Sequence, residues 1–268
     1  PLKLPSGTLL VLAGPRVLGP QHPLSVPALN CETQVALSGS TLPQRQGEAN
    51  TAEQDIGVAI LPPQTSAPVV SGRCGHGSLP EPLPACLPPS RPDVLFLHGQ
   101  AFTSKTWEAL GTLALLAGEG YRTVAIDLPG YGDSPPVEMV LTAQGRRAFL
   151  DRVLQELGMQ RPVLISPSMS GRFALPFLLA HGDRLAGFVP IAPVGTKDFT
   201  AEQYRGVQTP TLILYGDRDT GLAPQALQNL QHIPKHRVAV LSGAGHACYL
   251  DKPEDFHRAL LGFLRQLK

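Results

Sequence analysis

The chain has 268 residues, 22 Lys plus Arg against 21 Asp plus Glu, and 43% hydrophobic residues. That length suits one α/β domain or two small ones, and a net charge of +1 excludes the basic stripe of a nucleic-acid binder and the acidic tail of a solvating segment. Cys31, Cys74, Cys86 and Cys248 have no metal-ligand spacing, so neither a zinc site nor a disulfide framework is expected, and a reducing, cytoplasmic setting is the default.

Residues 1–92 and 93–268 differ sharply in composition. All nine Phe, all five Tyr and the single Trp lie at Phe96 or later, whereas 16 of the 28 prolines fall in residues 1–92. A proline-rich stretch without aromatics has little with which to build a core, so residues 1–92 are expected to be a disordered N-terminal segment and 93–268 the folded domain. Leu9-Leu10-Val11-Leu12-Ala13 is far too short to span a bilayer and Pro15 interrupts it, so no membrane span is expected. Ile56-Gly57-Val58-Ala59-Ile60-Leu61 is the one candidate edge strand in this segment.

From residue 93 onward, apolar runs alternate with amphipathic ones. Asp93 to Leu97 reads as a buried strand, and His98-Gly99 ends it. A helix follows, with Trp107, Leu110, Leu113, Ala114 and Ala117 on one stripe and Gly118 and Gly120 stopping it. Thr123 to Ile126 is the next strand, then come a helix around 140–157 and the strand Val163-Leu164-Ile165. The helix after residue 171 carries Phe173, Leu175, Phe177 and Leu178. Strands at 187–191, 211–215 and 237–241 follow, with helices at 224–231 and from Pro253 onward. Apolar strands alternating with helices predict a mostly parallel sheet covered on both faces, with ligands bound beyond the strands' carboxyl ends.

The strand ends, read in order, hold one mechanism. Ser166-Pro167-Ser168-Met169-Ser170-Gly171 stands between a strand and a helix. It has the steric logic of the G-x-S-x-G nucleophile elbow, with serines in place of the flanking glycines. Ser168 is the candidate nucleophile and His246, in Gly243-Ala244-Gly245-His246, the general base. An acid after Tyr215 would orient the imidazole, and the order Ser, Asp, His is that of α/β-hydrolases. A serine hydroxyl attacks poorly until a histidine takes its proton, and that histidine needs a carboxylate behind it. Asp217 and Asp219 compete for this role; Asp219 is preferred because two more residues carry it past the strand tip. The backbone N–H groups of Met169 and Gln100 are the candidate oxyanion donors, with Ala101 as a register alternative to Gln100.

Other residues read more plainly. His98 is expected to brace its turn rather than move protons, Cys248 to be a small buried hydrophobe, and His257 to be exposed on the last helix. Gly130-Tyr131-Gly132 follows a strand, but Pro135 stands where a dinucleotide loop needs its third glycine. No P-loop, H-E-x-x-H or CxxC pattern occurs, so no cofactor or metal is required.

The string His98-Gly99-Gln100-Ala101-Phe102-Thr103-Ser104-Lys105-Thr106-Trp107 resembles the α/β-hydrolase-domain-containing protein 14 family. So do Ala125-Ile126-Asp127-Leu128-Pro129-Gly130, the elbow, and Gly245-His246-Ala247-Cys248-Tyr249-Leu250-Asp251-Lys252-Pro253. The tail is closer to the family's A member than to its B member, and the resemblance covers about residues 93–267. It implies the α/β-hydrolase fold, a triad of Ser168, Asp219 and His246, and hydrolysis of short acyl esters. For the B type it implies removal of acetyl groups from protein lysines, with coenzyme A as acyl acceptor. It also implies two antiparallel strands before the His-Gly strand and, for the A type, a membrane anchor near the N-terminus; residues 1–92 look like neither.

Only 15 residues, Val194 to Gln208, join two strands where many such hydrolases insert a helical lid, so a minimal cap and an open site are expected. The predicted substrate is a small acyl compound or an acetylated protein lysine. The rival reading is a catalytically silent scaffold for protein binding, and the presence of all three triad side chains favours the enzyme.

Overall fold

The computed structural model describes residues 91–267, together with the backbone of Leu10–Ala13 and Thr33–Val35. These residues contribute eight strands to one sheet: β1 (Leu10–Ala13), β2 (Thr33–Val35), β3 (Val94–Phe96), β4 (Thr123–Ile126), β5 (Val163–Pro167), β6 (Gly187–Ile191), β7 (Thr211–Gly216) and β8 (His236–Leu241). Their spatial order is β2-β1-β4-β3-β5-β6-β7-β8. The six from β4 to β8 in that order run parallel; β1 pairs antiparallel with β4 and with β2. Here the structure corrects the sequence-based expectation. Two strands of the segment expected to be disordered join the sheet, Leu10 opposite Ile126 and Ala13 opposite Thr123. The candidate strand at 56–61 lies outside the described residues.

The inner parallel strands β3 to β7 are largely apolar because both of their faces are buried, whereas the edge strand β8 exposes Val238 and Val240. Leu95, Val124, Ile126, Leu164, Phe188 and Ile213 point into one core, while their neighbours Val94, Phe96, Ala125, Val163, Ile165, Val189, Leu212 and Leu214 point into the other. Side chains alternate along a strand, so a strand buried on both faces has apolar residues at consecutive positions rather than at every second one. Pro190 lacks an N–H, and the β6–β7 register shows only Phe188↔Thr211 and Ile191↔Leu214.

Helices cover both faces. The first core is closed by α3 (Ala143–Glu156), α4 (Gly171–His181), α5 (Ala201–Arg205) and α6 (Ala223–Leu230), through Phe149, Phe173, Phe177, Tyr204 and Leu230. The second is closed by α1 (Lys105–Ala109), α2 (Thr112–Gly118), α7 (Cys248–Asp251) and α8 (Pro253–Leu264), through Trp107, Leu116, Tyr249, Phe256 and Leu260. The single helix expected from Trp107 to Ala117 is two, because Gly111 takes φ +74° between them. The break rotates the buried face, so Leu116 is buried while Ala114 is exposed.

Between β6 and β7 the chain has only a short 3-10 turn at Thr196–Asp198 and α5. Thr200 caps α5 by accepting from the Gln203 amide while the Gln203 side chain accepts from the Thr200 amide, which holds the connection close to the domain. Among the described residues, no helical lid stands over this end of the sheet. Among the described residues, no helix is long and apolar enough to cross a membrane.

Phe256 is fully buried and its ring lies 5.8 Å from that of Trp107 and 6.1 Å from that of Tyr249. Phe256→Ala should lower the unfolding free energy by about 3–5 kcal/mol, as expected for an emptied aromatic site. Urea denaturation followed by tryptophan fluorescence measures this directly.

Candidate active site

Parallel strands place their carboxyl ends together, and the predicted residues meet there. Ser168 follows β5 at the start of a one-turn 3-10 helix, Ser168–Ser170, that leads into α4. Its φ is +49°, a left-handed conformation that a serine adopts only under constraint. The constraint is visible on three sides. The Ser170 hydroxyl donates to the Pro167 carbonyl at 2.7 Å and is 3.1 Å from the Ser166 hydroxyl, and the Val194 amide donates to the Ser168 carbonyl at 2.9 Å. Gly171 completes it: a Cβ there would lie 2.5 Å from the Val194 carbonyl oxygen. Ser166 and Ser170 are both fully buried, so their hydroxyls hold the corner together and face no solvent.

The Ser168 hydroxyl is 2.8 Å from His246 Nε2, and His246 Nδ1 is 2.6 Å from Asp219 Oδ2. With Nδ1–H donating to the carboxylate, Nε2 is left free to accept the serine proton. Asp219 is 8% exposed, and its Oδ1 accepts from the Leu222 amide at 3.0 Å and the Gly221 amide at 3.2 Å. Burial alone raises its pKa. The hydrogen bonds from His246, Leu222 and Gly221 and the imidazole charge outweigh burial and leave it below the ordinary carboxylate value. Asp217 plays a different part. It accepts from the Gly243 amide at 2.7 Å and the Ser242 hydroxyl at 3.2 Å, tying the β8 turn to the end of β7.

The loop after β3 forms the opposite wall. Gly99, Gln100, Ala101 and Phe102 line a cavity of about 530 Å³ with Ser168, Ile191, His246 and Tyr249. Gln100 borders this cavity, and Met169 follows Ser168 at a helix start, where the first amides have no intrahelical acceptor. His98 lies beneath the loop. Its Nε2 accepts from the Leu128 amide at 3.0 Å and its Nδ1–H donates to the Gly99 carbonyl at 2.8 Å. Both ring nitrogens are engaged by backbone, which is the bracing role its position suggests.

Several neighbours were not assigned roles from sequence. Asp127 is fully buried and accepts from the Ser104 amide at 2.7 Å and the Asp133 amide at 3.1 Å, while its carbonyl accepts from the Ser134 hydroxyl at 2.8 Å. It locks the loops after β3 and β4 together; Gly132 must be glycine, since a Cβ would fall 2.1 Å from its Oδ2. The signal for Asp127 was a carboxylate at the end of a fully apolar strand. Cys248 is buried, and desolvation pushes its thiol up to about 12, which leaves it inert. His257 is not the exposed residue expected of it. It is half-buried and lies 2.8 Å from the Thr112 hydroxyl, because α8 packs against the start of α2. Among the described residues no cluster of His, Cys, Asp and Glu could hold a metal ion.

Burial lowers the His98 pKa below the ordinary 6.5, against smaller opposing contributions from the Gly99 carbonyl and Asp127; burial lowers that of His257 too. The unfolded chain therefore binds protons that the folded protein excludes. This stability is complete above the unfolded imidazole value and is lost as pH falls toward the folded one. The thermal midpoint should drop between about pH 7 and about pH 5, and His98→Gln should remove up to about 1.4 kcal/mol per pH unit of that slope. Calorimetric scans across this range check it.

Residues 94–199 match the model of the Alpha/beta hydrolase family. Protein ABHD14A of Danio rerio is 59% identical over 177 residues, which cover 66% of this chain and 66% of that protein. The human "Putative protein-lysine deacylase ABHD14B" is 49% identical over 183 residues, covering 67% of this chain and 86% of that protein. Among solved structures, a predicted CIB-like hydrolase from Thermoplasma acidophilum superposes with a TM-score of 0.63 at 26% identity, over 67% of this chain and 88% of its own.

Proposed function

The chain belongs to the ABHD14 family of α/β-hydrolases, and from that premise we propose that it is a serine-dependent acyl hydrolase or acyltransferase for short acyl groups. The observation that carries this is the hydrogen-bonded line Ser168–His246–Asp219 opening into a cavity at the sheet's carboxyl end. Ser168 Oγ attacks the acyl carbonyl as His246 Nε2 takes its proton. The tetrahedral oxyanion is held by the amides of Gln100 and Met169. Collapse expels the leaving group, which receives the proton from His246, and leaves an ester on Ser168. A second acceptor, activated by the same imidazole, releases the acyl group. Asp219 keeps the imidazole in the required tautomer and stabilises its cation.

Water as acceptor makes the protein an esterase or deacylase and needs no cofactor. A thiol such as that of coenzyme A would make it an acyltransferase through the same intermediate. The substrate is an acyl ester or an acetylated protein lysine, the latter in line with the activity named for the human ABHD14B relative. An open cavity of about 530 Å³, with no lid among the described residues, suits a short acyl group on a bulky carrier better than a long chain needing enclosure. The cysteine pattern supports a cytoplasmic setting.

A fluorophosphonate probe should label the wild type and not Ser168→Ala of equal thermal stability. Ser168→Ala and His246→Ala should each lower turnover of 4-nitrophenyl acetate on the order of 10⁴-fold. A folded wild type that resists the probe would instead mark a silent scaffold. Acetyl and butyryl esters should be turned over at least about tenfold faster than palmitoyl esters, given the differential binding a cavity of this size allows; the reverse order would refute the short-acyl assignment.

A further inference from the structure

Tyr249 stands three residues after His246, on α7, and takes no part in the triad. Its ring is held by Trp107 at 4.8 Å, Phe256 at 6.1 Å and Phe102 at 6.2 Å. The residue is only 2% exposed, yet it lines the cavity above Ser168. Its hydroxyl makes no hydrogen bond to any described residue, and it is not among the sealed, unpaired polar atoms. A Cβ built on Gly99, itself a lining residue, would lie 3.7 Å from this oxygen, which puts the hydroxyl at the cavity wall. Buried tyrosine hydroxyls nearly always have a partner, so one supplied by a ligand is the natural completion.

Gly99 fixes where that partner would be. A methyl group built on it would lie 3.7 Å from the Tyr249 hydroxyl and 3.7 Å from Ser168 Cβ. The missing side chain leaves a space bordered by the Phe102 ring at 3.3 Å, by the nucleophile's residue and by the phenol. Gln100, the next residue, carries one of the two amides assigned to the oxyanion.

We propose that the Tyr249 hydroxyl is a third donor to the substrate's carbonyl oxygen, beside the amides of Gln100 and Met169, an inference that rests on the acyl-transfer reading above. The phenol donates a hydrogen bond and keeps its proton throughout. Burial, and behind it the neighbouring Cys248, push its pKa up and so hold it in the donor form. The rigid aromatic stack fixes the oxygen before substrate arrives, which is what makes such a donor effective.

Tyr249→Phe removes one oxygen that has no hydrogen-bond partner among the described residues, so it orphans no group there, and the thermal midpoint should not fall. Its kcat on both phenyl acetate and 4-nitrophenyl acetate should drop ~10–100-fold with KM little changed, somewhat less than loss of a principal oxyanion donor. Fluorophosphonate labelling should slow by a similar factor. Wild-type rates in the variant would overturn the inference and leave the acyl-transfer reading intact. Loss confined to phenyl acetate would place the phenol on the leaving group and overturn it as well. A wild type neither labelled nor active would refute the underlying reading and this inference with it. Should Tyr249→Phe not fold, replacement of Tyr249 by 3,5-difluorotyrosine keeps ring and hydroxyl while lowering the phenol pKa. Turnover should then fall as that phenol ionises, and an unchanged pH profile would count against the role.

Discussion

The close approach of Gly171 to the chain after β6 is the constraint on which the site depends. With no Cβ on Gly171, the first turn of α4 presses onto the Val194 carbonyl, and the Val194 amide in return holds the Ser168 carbonyl. β5 can then pass into α4 without a loop, and the corner is tight enough to force Ser168 to φ +49°. Ala192, at the end of β6, is the other non-glycine residue with positive φ among the described residues, so the backbone strain collects on both sides of this contact. Strain of this kind persists only where surrounding bonds over-determine it. Here the buried Ser166 and Ser170 hydroxyls supply those bonds.

A second close approach sets the other half. A Cβ on Gly216 would lie 2.3 Å from the Ala244 carbonyl oxygen, and the Arg218 amide donates to that same oxygen at 2.9 Å. The turn after β7 is thereby stitched to the turn after β8, with Asp217 closing the seam through Gly243. This seam separates the two aspartates: Asp217 is committed to the turn, and Asp219, two residues farther on, lies against the imidazole. Sequence could rank the two aspartates by reach. It could not show that Asp217 had a separate task.

The inner parallel strands were legible in sequence because burial on both faces leaves a nearly continuous apolar run, and the location of the candidate site followed from the rule that ligands gather at the carboxyl ends. β1 was not legible. Leu10–Ala13 is an apolar run like the others, but its partners Thr123–Ile126 lie more than a hundred residues away, and no local pattern marks that pairing. The break at Gly111 was likewise hidden, since the stripe from Trp107 to Ala117 fits one continuous helix until a positive φ interrupts it. At the elbow, sequence explained Ser166 and Ser170 by their size alone. Their hydroxyls proved equally relevant, and the tightest glycine was at 171 rather than at a flanking position of the motif. Tyr249 had no motif to announce it, because its relation to Ser168 runs through the empty space at Gly99.

On the proposed reading, the fate of an ester on Ser168 would be decided by access. His246 is 41% exposed at its side chain while Asp219 behind it is 5% exposed, so the pair presents a wet imidazole backed by a dry carboxylate. The dry side fixes the tautomer, because few waters can compete for Nδ1–H. On that reading, the wet side would let any acceptor small or extended enough reach Nε2, with no lid among the described residues to select among them. A site of this form discriminates weakly by enclosure and must discriminate by what binds around the rim. On the same reading, the cavity would set the size of the transferred group and the surface around its rim would set the carrier. That division matches a catalyst for a short acyl group borne on a large molecule, whether the acceptor is water or a thiol.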